Sequence, residues 1–398
     1  MNNRKASTVI TGIGIICPSG VTKDIFYHSY LSNTNPVSTP KNIHLFGKDY
    51  IYAVYDIPPI EEPGIPSSLQ RRMRSLSLMV VVSAWRCLQD SGLEYSKYLE
   101  TMGIVMGTGW GEIDSIHSLL MQATEKSDIL ISPTLFHTSV HNAPAGHLGI
   151  ALESKGPTLT VTQGDQSFES ALSLGNLLLQ SEQCPVVLVG GADTFFDLSV
   201  LEKNTNKDTL STVSKGSCFF LLEPEKSAIE RNTPVYARTV FLPSRTTQNQ
   251  EQIHEYACDI KASLSEQSSG TGEPIDLVVF TGVPTSFWHI EIPLIKAILE
   301  GKSAYLIPPD TPLSRPTQTA EDFLGSLAIL EKQKIPDKKI LYLTNNELKD
   351  ADSLEDLKTI KRILLISVSS QGTHSLFLLE KLRNRNEISS PFNDKDND

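Results

Sequence analysis

Short apolar, β-branched runs that stop on glycine, separated by amphipathic stretches, leave this chain few architectures to adopt. Val9-Ile10-Thr11-Gly12-Ile13-Gly14-Ile15-Ile16 is followed by Pro18-Ser19-Gly20 and reads as a buried strand entering a tight turn. Gly103-Ile104-Val105-Met106 meets the turn Gly107-Thr108-Gly109-Trp110-Gly111, and a helix is expected from Glu112 to about Thr124. Pro185-Val186-Val187-Leu188-Val189-Gly190-Gly191-Ala192 and Cys218-Phe219-Phe220-Leu221-Leu222-Glu223 continue the style. Residues 71–91 form a long amphipathic stretch whose stop is Gly92. Strand-like runs return at 235–242, 277–281, 340–343, 363–368 and 376–379, with helical stretches between them. Strands alternating with helices predict an α/β sheet covered on both faces. Two such halves suggest an internal duplication. The polar segments 246–252 and 265–273 read as surface loops, and the charged tail 384–398 as frayed.

Composition narrows the partners. The 398 residues suit two domains or one large α/β unit. Acidic residues number 46 against 35 basic, a net charge of -11, which argues against nucleic acid or an anionic membrane as ligand. Cys17, Cys87, Cys184, Cys218 and Cys258 are scattered and odd in number, and read as free thiols of a reducing cytoplasm. No apolar run approaches the roughly 18–20 residues of a membrane span. Met1 leads into a polar start rather than a signal peptide. A cytoplasmic protein is expected.

One strand–turn–helix segment carries more. Gly156-Pro157-Thr158-Leu159-Thr160-Val161-Thr162-Gln163-Gly164-Asp165-Gln166-Ser167 resembles the nucleophile elbow of the β-ketoacyl synthase family, roughly GPS-x-T-V-x-T-A-C-x-S. Asp165 stands where that family has its cysteine. VITGIGIICPSG, RRMRSLSLMVVVSAWRCLQDSGL, GTGWG, VVLVGGAD, GSCFFLLEPEKSAIERN and SSQGTHSLFLL are similar to further family landmarks, in order, across nearly the whole chain. The resemblance implies a thiolase-like α/β fold of duplicated βαβαβ halves in a five-layered α-β-α-β-α core. The halves are expected at 1–232 and 233–383, with the elbow at 156–167.

The resemblance also implies two catalytic histidines. The first falls on Thr281, in Phe280-Thr281-Gly282-Val283-Pro284-Thr285. The second falls on Thr319, in Gln318-Thr319-Ala320-Glu321-Asp322-Phe323-Leu324-Gly325. Ser370 stands at the family's gating phenylalanine. Decarboxylative condensation needs a thiolate to hold the acyl chain and imidazoles to stabilise the enolate. A carboxylate is a poor nucleophile towards a thioester, and a threonine hydroxyl is the weaker donor. No catalytic residue is therefore expected. Asp165 reads chiefly as a helix N-cap, and secondarily as a carboxylate at the mouth of the emptied pocket.

Ketosynthases of this family work as dimers, so a silent copy is expected to pair with an active one. The chain is similar to the chain-length factor of type II polyketide synthases, which shapes the tunnel that limits a growing poly-β-keto chain and serves antibiotic or pigment biosynthesis. Trp110, Ile113, Ile116, Phe136 and Val140 are the expected tunnel wall, and His137 and His141 the expected interface residues. A phosphopantetheinylated acyl carrier protein is expected to bind mainly the partner. His137, His141 and His147 have no obvious acidic co-ligand, so no metal and no cofactor is expected. A Ser167 hydrolase lacks the G-x-S-x-G surroundings. A silent partner in aryl polyene or modified fatty-acid synthesis, or a malonyl-decarboxylating enzyme, is the alternative.

Overall fold

The structure, a computed structural model, describes residues 7–34, 36–45, 48–60, 65–125, 132–195, 211–247, 249–267, 274–281, 288–300, 302–308, 316–338, 340–344, 348–351 and 359–382. Ten strands make the frame. The first five are β1 (Thr8–Ile16), β2 (Gly103–Gly107), β3 (Thr158–Val161), β4 (Val187–Asp193) and β5 (Gly216–Pro224). They lie side by side in the order β1-β5-β4-β2-β3. The second five are β6 (Ala237–Phe241), β7 (Leu277–Thr281), β8 (Ala304–Ile307), β9 (Arg362–Val368) and β10 (Thr373–Glu380). Their order is β6-β10-β9-β7-β8.

Each set runs first-fifth-fourth-second-third, with two antiparallel pairings followed by two parallel ones. The duplication is therefore written in strand order and polarity alike. β6 joins the sets, pairing with β1 through residues 237–239 and with β10 through residues 238–241.

Helices α1 (Ser75–Ser91), α2 (Ile113–Glu125), α3 (Pro133–Thr138), α4 (Ala143–Ala151), α5 (Ser167–Gln180), α6 (Gln250–Gln267), α7 (Trp288–Leu299) and α8 (Thr319–Lys332) complete the layers. α1 and α4 cover the outer face of the first set. α6 and α7 cover the outer face of the second. α5 and α8 fill the middle. The result is α-β-α-β-α. Alternation along each strand feeds two cores at once: Ile363 and Leu365 of β9 enter the middle layer, while Leu364 and Ile366 face α6 and α7. Strands buried on both faces must be apolar throughout, which is why they read as unbroken runs.

The halves lock through aromatic rings. Phe168 of α5, Phe220 of β5, Phe323 of α8 and Phe377 of β10 meet at centroid distances of 5.1–6.1 Å. Such pairs add about 0.5–1.5 kcal/mol each beyond their buried area. Gly14 is dictated by close approach: a Cβ there would lie 1.9 Å from the Ser83 carbonyl oxygen of α1.

Several boundaries differ from expectation. α1 begins at Ser75, after Arg71, Arg72 and Arg74, and ends with Gly92 in the left-handed conformation (φ 60). The polar segments at 246–252 and 265–273 are partly helical, because α6 starts at Gln250 and runs to Gln267. Its polar residues line the solvent face of a helix whose other face holds Ile253, Tyr256 and Ile260. A small sheet of Ser38–Leu45, Lys48–Tyr55 and Ser211–Ser214 gave no clear sequence signal. The tail 384–398 and positions 282–285 lie outside the described residues.

Candidate functional site

β3 stops at Val161, and Gly164 (φ 55) turns the chain through the short 3-10 turn Gly164–Gln166 into α5. The turn is tied internally. The Gln163 N–H donates to Ser167 Oγ (2.9 Å), and Ser167 Oγ donates to the Gly164 carbonyl (2.6 Å). Asp165 does not cap α5, contrary to expectation. The N-cap position belongs to Gln166, which makes no side-chain cap bond. Asp165 Oδ2 instead accepts the Ser370 N–H at 2.7 Å, from the loop between β9 and β10. The intervening 3-10 turn sets the carboxylate too early in the chain to reach the free N–H groups of α5.

Thr281 ends β7, is fully buried, and donates to Asp322 Oδ2 at 2.5 Å. Thr319 opens α8 and is equally buried. Beside it stands Glu169, four residues beyond Asp165 and buried on α5. Glu169 Oε1 accepts the Ser367 hydroxyl at the end of β9. Burial pushes the Glu169 carboxyl up to about 7, with the Asp165 charge adding to the rise; the Ser367 bond, its own N–H and the nearby Thr319 hydroxyl offset part of it. Among the described residues, neither Glu169 Oε2 nor Thr319 Oγ1 completes a full hydrogen bond. Gln166 Nε2 donates to Ser367 Oγ (3.1 Å), and Ser375 Oγ donates to Gln166 Oε1 (2.6 Å). Glu169, Gln166, Ser367 and Ser375 were not singled out in the sequence. The available signal was one carboxylate on an otherwise apolar helix face, between Phe168 and Ala171.

The five tunnel candidates divide. Asp193, buried at the end of β4, accepts Thr108 Oγ1 (2.8 Å) and the N–H groups of Gly109 and Trp110 (both 2.9 Å), fixing the glycine turn. Burial nevertheless raises its carboxyl to about 6. Trp110, Ile113 and Ile116 are half-buried around this turn and on α2, whereas Phe136 and Val140 are 64% and 44% exposed. His137 is exposed on α3, its ring 5.9 Å from that of His147, and His141 is half-buried against Gly111. His147 itself is buried. The Ser77 hydroxyl donates to Glu112 Oε1 (2.7 Å), so His147 Nδ1 donates to Ser77 Oγ (3.0 Å). Burial, and then His137, lower the His147 pKa; burial raises that of Glu112. Among the described residues, no group of three or more His, Cys, Asp or Glu is arranged to hold a metal ion. No helix among them is long and apolar enough to cross a membrane.

An α-β-α-β-α layering around a buried, polar centre defines a thiolase-like scaffold. A family model, "Beta-ketoacyl synthase, N-terminal domain", matches residues 49–271, more than half of the chain, and the chain belongs to that family. It is 25% identical over 199 residues to nodulation protein E of Rhizobium leguminosarum bv. trifolii, covering 49% of this chain and 48% of that protein. The chain spans about half the length of the curated relatives it matches. The fold is similar to the ishigamide ketosynthase/chain length factor, with TM-score 0.67 and 17% identity over 95% of this chain and 100% of that one. It is likewise similar to AntDE:AntF, a type II polyketide synthase acyl-carrier protein in complex with its ketosynthase, with TM-score 0.70 and 15% identity at the same coverage.

Proposed function

We propose that this chain is the chain-length factor of a type II polyketide synthase: a silent ketosynthase homologue that pairs with an active ketosynthase and shapes the tunnel limiting the acyl chain. One observation carries the reading. By the resemblance, Asp165, Thr281 and Thr319 correspond to the family's cysteine and two histidines; Asp165 and Thr281 are bonded within the fold and Thr281 and Thr319 are fully buried, which supports a scaffold kept without its nucleophile and imidazoles. Four cysteines, Cys17, Cys87, Cys184 and Cys218, are buried, and burial raises the Cys87 and Cys184 thiols; the fifth, Cys258, is exposed on α6, away from the elbow in sequence. The need for a partner is supported at the surface. β3 ends its sheet and α4 packs on it, with α3 against α4; Leu159 on β3, Ile150 on α4, Phe136 on α3 and Val140 just after it are exposed apolar residues.

Acyl transfer tests the reading. The chain, co-purified with its active ketosynthase, is incubated with acyl carrier protein thioesters, and each intact subunit is weighed. The mass of the partner alone should rise. An adduct on Asp165 or on any of the five cysteines overturns the proposal.

A further inference from the structure

A chain of side-chain hydrogen bonds crosses the buried centre between the two halves. From the second half, Ser244 Oγ and Ser375 Oγ lie 3.1 Å apart, and Ser375 donates to Gln166 of the first half. Gln166 returns a bond to Ser367 of the second half, and Ser367 donates to Glu169 of the first. Each hydroxyl has one proton, so the donors run in a single direction, from Ser244 through Ser375, Gln166 and Ser367 to the Glu169 carboxyl. Gln166, Glu169, Ser367 and Ser375 are all buried. Above this chain, Asp165 grips the backbone N–H of Ser370. The gripped loop is a tight turn of its own, with Ser369 N–H bonded to Thr373 O (2.8 Å), Gly372 N–H to Ser369 O (3.0 Å), and Ser369 Oγ accepting the N–H groups of Gln371 and Thr373. The elbow and this loop are about 200 residues apart in sequence, so these bonds exist only when the halves are packed.

We propose that these bonds form a clasp that seals the centre against a pantetheine-sized thioester, with Asp165 and Gln166 as its positioning residues. The pocket is then closed as well as inert, with Thr319 fully buried beside Glu169 at the inner end of the chain. A buried directional chain ending on a carboxyl suits this task, because opening it strands several polar groups at once. The clasp rests on the reading of positions 165, 281 and 319 as a vacated site. It does not depend on which partner the chain takes.

Thiol accessibility decides the matter on the full chain. In a Cys258→Ser background, which removes the exposed thiol, Thr319→Cys places a near-isosteric reporter behind the clasp. With the clasp intact, a maleimide should leave the reporter unmodified. Asp165→Ala with Gln166→Ala should speed its labelling about tenfold or more while Cys87 and Cys218 stay unlabelled, since opening is local. Asp165→Asn, which keeps an oxygen acceptor, should preserve protection. Rapid labelling behind an intact clasp, or no change on removing it, overturns the proposal. If the double variant unfolds, seen as labelling of Cys87, deuterium uptake of residues 367–375 in Asp165→Ala and Asp165→Asn decides instead. Faster uptake in alanine alone supports the clasp, and equal uptake sinks it.

Discussion

Glu169 shows how one side chain makes the emptied centre sensitive to pH. Its carboxyl binds a proton more tightly in the fold than in the unfolded chain, because burial raises it from 4.5 to about 7. Its contribution to stability is therefore fully present below the unfolded value and is lost as pH rises through 7. A shift of that size corresponds to on the order of 3 kcal/mol. Glu169→Gln keeps the shape and the Ser367 contact but cannot ionise. Between roughly pH 5 and 8 the natural chain should lose melting temperature relative to this variant. Asp193, raised to about 6, titrates in both proteins and cancels in the comparison. Parallel melting curves would mean that Glu169 does not titrate in this range.

At the scale of elements, β3 is an edge strand. It is four residues long, lies at the end of its set, and is flanked by exposed apolar residues. An open edge with an apolar rim invites another strand or face, and natural proteins block such edges with charge. Leu159→Lys should therefore change the stability of the single chain by only about 0.5 kcal/mol or less, because the site is partly exposed. It should abolish co-purification with the ketosynthase partner. Retained 1:1 assembly, measured by native mass, would place the partner elsewhere. α5 and α8 present the opposite case. They pack between the two strand sets, and their first turns carry Glu169 and Thr319, both fully buried.

At the scale of the whole molecule, chain-length control requires that groups on this chain border a cavity whose chemistry belongs to another. Phe136, 64% exposed on α3, fits a wall completed by a partner; Ile116 of α2 is half-buried behind it in sequence order. One two-carbon unit needs roughly 2.5 Å of extra tunnel, which a large-to-small change supplies. Phe136→Ala, Ile116→Gly or Trp110→Ala, reconstituted singly with the partner, should release longer polyketides in at least one case, read by product mass. If all three assemble and still release only the native length, the ruler is not built from these residues.

The layered fold was legible because strands covered on both faces must be apolar along their whole length, and because runs such as 103–106 and 185–189 meet glycine. The run 277–281 coincides with β7, and Arg362–Val368 extends the expected 363–368 by one residue. The elbow segment was legible from local spacing, whereas the assignment of Asp165, Thr281 and Thr319 to the family's catalytic positions rests on the resemblance alone. The Ser38–Leu45 hairpin and Ala304–Ile307 escaped, since short strands of mixed polarity or few residues carry little periodic signal. What Asp165 touches was decided only by tertiary structure. Local rules offered it the N-terminus of α5, but a 3-10 turn displaced it and the packed second half presented the Ser370 N–H. The same holds for Glu169: its sequence position marks a charge on an apolar helix face, while its partner Ser367 lies 198 residues away and meets it only when the two halves close.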